Sequence, residues 1–343
     1  MNTSTTHLND TTSSVDEAMR QIAIATNVII LVLGVFGNGL VVWVTAMRKK
    51  RYNFTSTCYL NLAMADLLFS LGRIPALVQE IMYSRWPFGN PLCKLHAFAR
   101  YLTVFAGVFI LTLISVDRCL LVAQPVWTRN HRGPRFQALM CVGAWILALA
   151  FSAPYLVVRE VTLKDGAMYC GYRKDLRIST ELPLRLSRFF GGFLVPFIII
   201  LSAYLVLVFK LRRRRWEGSH RTFTLVATIV VLFFICWLPH HVVALISTIG
   251  GSKEAWGIPL KLSNALAYLH SCINPVIYVL VGYIRIRSLH RRASFLGLFR
   301  KALTEEDENS TGAEVTRSLN QKTKEQLDTP ILVSPGKPSK QGS

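Results

Sequence analysis

Two charged side chains stand together at Asp117-Arg118, directly after the uncharged run from Tyr101 to Val116. An ion pair at the end of such a run can exchange partners at the water boundary without full desolvation, or it can simply anchor its helix there. Earlier on the same stretch His96, Arg100 and Val104 recur at four-residue spacing and therefore share one face of a helix. Arg188 stands eight residues before Pro196, roughly two helical turns away. Arg73 and Arg159 add positive charge, Glu80 and Glu160 lie nearer the rim, and no acid stands obviously opposite the arginines. A guanidinium stays charged at any relevant pH and pairs a carboxylate bidentately, so this set could capture an anion. Snorkelling to an interface or a local pair is the alternative for each arginine taken alone. Enzyme chemistry has no foothold: there is no GxSxG, HExxH or pair of helical aspartates, and the eight histidines are scattered.

These residues need elements that can hold charge inside apolar surroundings. The chain has 343 residues, 52% hydrophobic and 17% charged, with a positive mean hydropathy, which places it among membrane proteins. A net charge of +20 would suggest nucleic acid in a soluble protein, but here the charge sits in short clusters between apolar runs, and no nucleic-acid partner is expected. Seven windows are long enough to cross about 30 Å of hydrocarbon, at about 22–47, 56–83, 94–122, 136–157, 184–211, 222–248 and 259–282. The expected fold is an all-α seven-transmembrane helix bundle over 22–282, after an N-terminal tail at 1–21.

Basic residues orient it. Arg48 to Arg51, then Arg129, Arg132 and Arg135, then Arg212 to Arg215 follow windows one, three and five, so all three clusters fall on one face, the cytoplasmic one. The N-terminus is then extracellular, where Asn2 and Asn9 offer glycosylation sequons; those at Asn53 and Asn309 fall on the other side and should stay unmodified. Five of the seven cysteines lie in apolar windows as small buried thiols. Cys93 and Cys170 lie on the oxidising side, and a disulfide between them is expected to pin the loop after window four over the bundle.

A charge within a spanning helix costs roughly 2.5–3.5 kcal/mol on insertion scales and so marks function. Asp66 in "LNLAMADLLF" needs polar company, which Asn38, Ser271 and Asn274 can supply. Pro196, Pro239 and Pro275 each interrupt a helical ladder and suggest a bundle built to bend, although any one kink could serve packing alone.

"GNGLVV", "NLAMADL", the Asp117-Arg118-Cys119 triplet, Trp145, "FLVPF", "CWLP" and "NPVIY" occur in order, one per window. Together they resemble the rhodopsin-like (class A) G-protein-coupled receptors over residues 22 to about 300, and "SRWPFG", "QPVWTRNHR" and "RFFGGFLVP" are similar to the chemoattractant group, with its formyl-peptide, chemerin, anaphylatoxin and type-2 prostaglandin D2 receptors. The resemblance implies a plasma-membrane receptor for a chemoattractant or inflammatory mediator, either an anionic lipid or a peptide with a carboxylate. It also implies coupling to Gi/o and regulation by receptor kinases and arrestin, with no cofactor.

By that resemblance Asp117 holds Arg118 at rest and releases it to the G protein on activation; Asp66, Asn38, Asn274, Pro275 and Tyr278 belong to the same switch, and Trp237 senses ligand depth. Arg188 matches an anion-capturing residue, and His96 and Arg159 match ligand contacts of the prostaglandin receptor. His240 stands where that receptor commonly has an aromatic residue, and Tyr101 stands where formyl-peptide receptors carry an Asp. Tyr268 is either a polar ligand contact or a packing residue. Relatives often build a sodium site around the Asp66 position with a Ser and an Asn; here those positions are Gly107 and His270, so the resemblance does not carry the ion over.

After Tyr278, residues 283–300 read as an amphipathic interfacial helix without a Cys for palmitoylation, and 301–343 as a disordered acidic tail suited to phosphorylation. A transporter would show repeats or paired broken helices, which are absent from the pattern. A non-signalling scavenger of the same group would lose the Asp-Arg or NPxxY elements, and both are intact.

Overall fold

The computed structural model describes residues 3–47, 54–131, 133–164, 166–173, 175, 177–214, 220–249 and 255–287. Asn2, Asn53, the 48–51 cluster, Arg132, Arg215, residues 288–300 of the expected amphipathic helix and the 301–343 tail lie outside the described residues, as do the side chains of Asn9, Arg129, Arg212 and Tyr278.

Hydrocarbon offers no partner for a backbone amide, so each apolar window must satisfy its own hydrogen bonds as a helix. Among the described residues six helices are long and apolar enough to cross a membrane: Ser14–Ala46, Ser56–Ile81, Gly89–Ala123, Pro134–Val158, Glu181–Lys210 and Ala227–Thr248. The seventh, Gly257–Arg287, is as long but carries Lys261, Asn264, His270 and Asn274 along its length. We number these helices 1 to 7. Helix 3 is the most buried of the six apolar spans and touches helices 2, 4 and 5, while helices 6 and 7 pack on each other. Phe36, Leu205, Ile146 and Ile235 are exposed on the outside, where a membrane protein presents apolar side chains to lipid.

Helix 1 does not begin at 22. It runs outward as Thr3–Ile29, so part of the expected tail continues the spanning helix. Helix 5 likewise begins at Arg177, before its apolar window. Of the three expected proline kinks, Pro239 and Pro275 lie inside helices 6 and 7. Pro196 is handled differently: a π-turn at Phe190–Leu194, where the Val195 amide donates to the Phe190 carbonyl, stands directly ahead of Pro196, which has no N–H to donate. A second π-turn, Ile30–Gly34 in helix 1, is marked by no proline. Its last residue, Gly34, packs so closely on the Ser70 side chain of helix 2 that a Cβ there would collide with it, and one turn on a Cβ on Gly37 would come within 2.8 Å of Pro275 on helix 7.

Between helices 4 and 5 the chain forms an antiparallel hairpin, β1 Arg159–Lys164 and β2 Ala167–Tyr172, turning at Gly166 with a left-handed φ of +72°. Arg159 is therefore the first residue of a strand rather than the top of helix 4, which ends at Val158. Val161 pairs with Cys170, and Cys170 is bonded to Cys93 at the start of helix 3. The Trp86 amide donates to the Met168 carbonyl at 2.8 Å, and the Val161 amide donates to Asn90 at 3.1 Å. The bond closes a separation of 77 residues, a constraint worth roughly 4 kcal/mol against the unfolded chain in the loop-entropy picture. Cys170→Ser is expected to lower detergent thermal stability and surface display together, checked by fluorescent thermal shift and antibody staining; wild-type values for both would remove the hairpin's role in holding this end of the bundle.

Candidate functional site

At the hairpin end of the bundle two helices, 3 and 5, bring charge to one hydroxyl. Arg100 of helix 3 donates through Nη2 to the Tyr101 hydroxyl at 2.8 Å and through Nη1 to the Tyr268 hydroxyl of helix 7 at 3.1 Å. Arg188 of helix 5 donates through Nη1 to the same Tyr101 oxygen at 2.9 Å. The Tyr101 ring is stacked on Tyr155 with centroids 3.6 Å apart, so its hydroxyl cannot easily swing away. With both lone pairs of that oxygen accepting from guanidinium groups, its own proton is left to donate.

A cavity of about 250 Å³ opens there, and Val104, Phe105, Trp237 and Gly192 form its apolar walls. Arg100, Arg159, Arg185, Arg188, His240, His241 and Tyr268 also line it, whereas among the described residues no Asp or Glu does. Gly192 belongs to the helix 5 π-turn, and a Cβ there would stand 3.0 Å from Phe105. The turn thus lets helix 5 press on helix 3 while Arg188 reaches across to it. Arg185 is already neutralised by Glu181 at 2.7 Å. Arg100, Arg159 and Arg188 have no carboxylate partner among the described residues, and the Nε atoms of Arg100 and Arg159 are buried without an acceptor. Unpaired buried cations are costly, which makes the cavity attractive to an anion that can accept several N–H groups at once.

Of the residues singled out by pattern, Arg100, Arg188, Arg159, His240 and Tyr268 meet at this cavity, with Trp237 among its walls. Arg159 lies with its guanidinium 4.1 Å from the Tyr172 ring centroid. His96 and Arg73 do not line it; they face an adjoining, wider cavity that shares Arg100, Arg159, Asn264 and Tyr268. His96 packs on Trp86 with ring centroids 5.6 Å apart. Arg73 lies between the rings of Phe69 and Tyr268, at 4.8 and 4.7 Å. Pattern reading missed Arg185, His241, Asn264 and Tyr172, and treated Tyr101 only as a replaced acid. The doublet His240-His241 after Pro239 was the legible signal for His241, and the three-residue step from Arg188 was the signal for Arg185.

Below this cavity the expected polar cluster is assembled in pairs. Asn274 donates to Asp66 Oδ2 at 2.7 Å, and Asn38 donates to the carbonyls of Gly34 and Ser271, each at 3.0 Å. A void of about 20 Å³ beside Asp66 is lined by Gly107, His270, Ser271 and Trp237. Trp237 and His270 both contact Phe233, at 5.9 and 5.1 Å between centroids, so the wall of the upper cavity and the Asp66 cluster share one aromatic neighbour. At the far end of helix 3 Asp117 and Arg118 are both buried, so the pair is packed among its neighbours and not open to water as its place at the end of the apolar run suggests.

A family model for the seven-transmembrane receptors of the rhodopsin family matches residues 37–278. Among similar proteins, the C3a anaphylatoxin chemotactic receptor of Danio rerio is 35% identical over 314 residues, covering 90% of this chain and 84% of that receptor. N-formyl peptide receptor 2 of Macaca mulatta is 36% identical over 295 residues, covering 80% of this chain and 84% of the relative. Chemerin-like receptor 1 of Homo sapiens is 35% identical over 275 residues, with 74% and 73% covered. The chain belongs to the rhodopsin family of seven-transmembrane receptors: it is a multi-pass membrane receptor that works through a G protein, and not an enzyme.

Proposed function

We propose that this receptor sits in the plasma membrane with its N-terminus and hairpin outside, and that it binds an extracellular chemoattractant or inflammatory mediator bearing an anionic group, a lipid acid or a peptide carboxylate. The observation that carries this reading is the convergence of Arg100 and Arg188 on Tyr101 in a cavity with no acidic lining residue among those described. An entering carboxylate would take over as acceptor, with Arg159 within the same cavity and Trp237 receiving the apolar remainder. Names of the similar receptors point the same way, since they are chemotactic, formyl-peptide and chemerin-like receptors.

The signal is read at the opposite face, where Asp117 and Arg118 lie in the last turns of helix 3 and the basic clusters at 48–51, 129–135 and 212–215 supply positive charge on the cytoplasmic side. Coupling is to Gi/o, in keeping with the chemoattractant group, and the Ser/Thr-bearing acidic tail recruits arrestin after phosphorylation. Screening anionic lipid mediators and carboxylate peptides for suppression of cyclic AMP in cells expressing the chain tests the reading. Suppression should disappear after pertussis toxin; an agonist response that the toxin leaves untouched would refute the coupling.

A further inference from the structure

The wider cavity, about 830 Å³, has a floor and a rim of opposite character. At the floor Arg73 stacks on Tyr268 and Arg100 donates to its hydroxyl, so both guanidinium groups lie at the level of that residue. At the rim stand Asp16, Glu17 and Arg20 from the outward extension of helix 1, Glu80 from the end of helix 2, and Lys261 from helix 7. Two of these three carboxylates are matched: Glu17 accepts from Arg20 Nε at 2.8 Å, and Asp16 lies 3.9 Å from Lys261. Glu80 has no ion pair among the described residues, and the cations whose charge reaches it, Lys261 and Arg20, each already face another carboxylate. The floor therefore has guanidinium groups in excess and the rim has a carboxylate in excess.

We infer that the agonist is a peptide that enters carboxylate first and lodges a basic side chain against Glu80, three or four residues before its C-terminus. This rests on the reading that Arg100 and Arg188 take the carboxylate. The spacing comes from the helix: Glu80 is seven residues beyond Arg73 on the segment Arg73–Ile81, a rise of about 10 Å at 1.5 Å per residue. An extended peptide covers that distance in roughly three residues, and a fourth allows for the step from Arg73 to Arg100, which meet on the same Tyr268. Lining chemistry selects the peptide over a lipid. Asn27, Gln79, Ser84 and Asn264 face the wider cavity, and an acyl chain laid over them would strip their water without replacing it, whereas a peptide backbone offers both donors and acceptors.

The test is a positional library of octapeptides, each made as the free acid and as the amide. It is applied to cells displaying the wild type, Glu80→Gln or Glu80→Lys, with responses normalised to surface-stained receptor. Wild type should favour Lys or Arg over Glu at the third or fourth position from the C-terminus by at least about tenfold, as expected for a close charge pair. Glu80→Gln should flatten that preference and Glu80→Lys should invert it. A preference that survives Glu80→Lys unchanged overturns the inference, and so does a receptor that answers anionic lipids but none of the peptides. If amides match the free acids while the inversion holds, the Glu80 subsite stands and the carboxylate capture is what fails.

Discussion

Arg188→Ala is expected to weaken binding of a carboxylate agonist by one to two orders of magnitude and to leave its methyl ester unchanged. A charge-assisted hydrogen bond contributes roughly 1.5–3 kcal/mol, and each 1.4 kcal/mol is about tenfold in affinity. Arg188 reaches across from helix 5 to an oxygen that Arg100 of helix 3 also serves, so its removal deletes one of two guanidinium donors and leaves the other. Arg188→Lys should lose less, since it keeps the charge but not the planar fork. Tyr101→Phe separates scaffolding from binding: it removes the shared acceptor without removing either cation, so affinity should fall only if the tyrosine proton itself donates to the ligand. Radioligand or bioluminescence competition with paired acid and ester checks all three. Equal affinities of acid and ester, with Arg188→Ala harmless to both, would show that the arginines serve packing between helices 3 and 5.

Arg118→Ala should abolish agonist-driven nucleotide exchange while the agonist still binds. Arg100 and Arg118 lie on one unbroken helix, Gly89–Ala123, 18 positions apart, which corresponds to about 27 Å. Truncation at one end therefore leaves the contacts of Tyr101 and Tyr268 intact. Asp117 and Arg118 are both buried at that end, where a buried charge that changes partner can separate two states by a few kcal/mol. Labelled GTP-analogue binding in membranes, run beside ligand saturation, reads both quantities in one preparation. Full exchange by Arg118→Ala would remove the latch from the account of activation.

Much of this was legible from type and spacing because a membrane leaves so few options. An apolar window of about 20 residues has to be a helix, and a charge within it has to find a partner, which is why the sequence narrows the company of Asp66 to Asn38, Ser271 and Asn274, of which the packing brings Asn274 to the carboxylate. The cysteine pair followed from compartment alone, since only Cys93 and Cys170 stood on the oxidising side. Helical phase set Arg100 on the stripe of His96 and Val104, and the distance from Pro196 set Arg188 about two turns up its helix; Trp237 was indicated only by the family resemblance, and Tyr268 stayed open between ligand contact and packing.

What remained was decided by contacts between segments distant in the chain. Tyr101 becomes the shared acceptor of two guanidinium groups only because a π-turn brings helix 5 against Phe105, and the pattern of the sequence does not mark a widened turn. His96 and Arg100 share a helical stripe, yet His96 faces the wider cavity against Trp86, because the hairpin tied to Cys93 lies across that end of helix 3. Arg159 crosses from helix to strand for the same reason. Glu80 acquires meaning only when helix 1 continues outward past its apolar window and brings Arg20 and Asp16 to the same rim, each already matched. Apolar periodicity and charge cost act within one segment and can be read along it, whereas which arginine keeps its charge unanswered depends on which carboxylates the packing brings within reach.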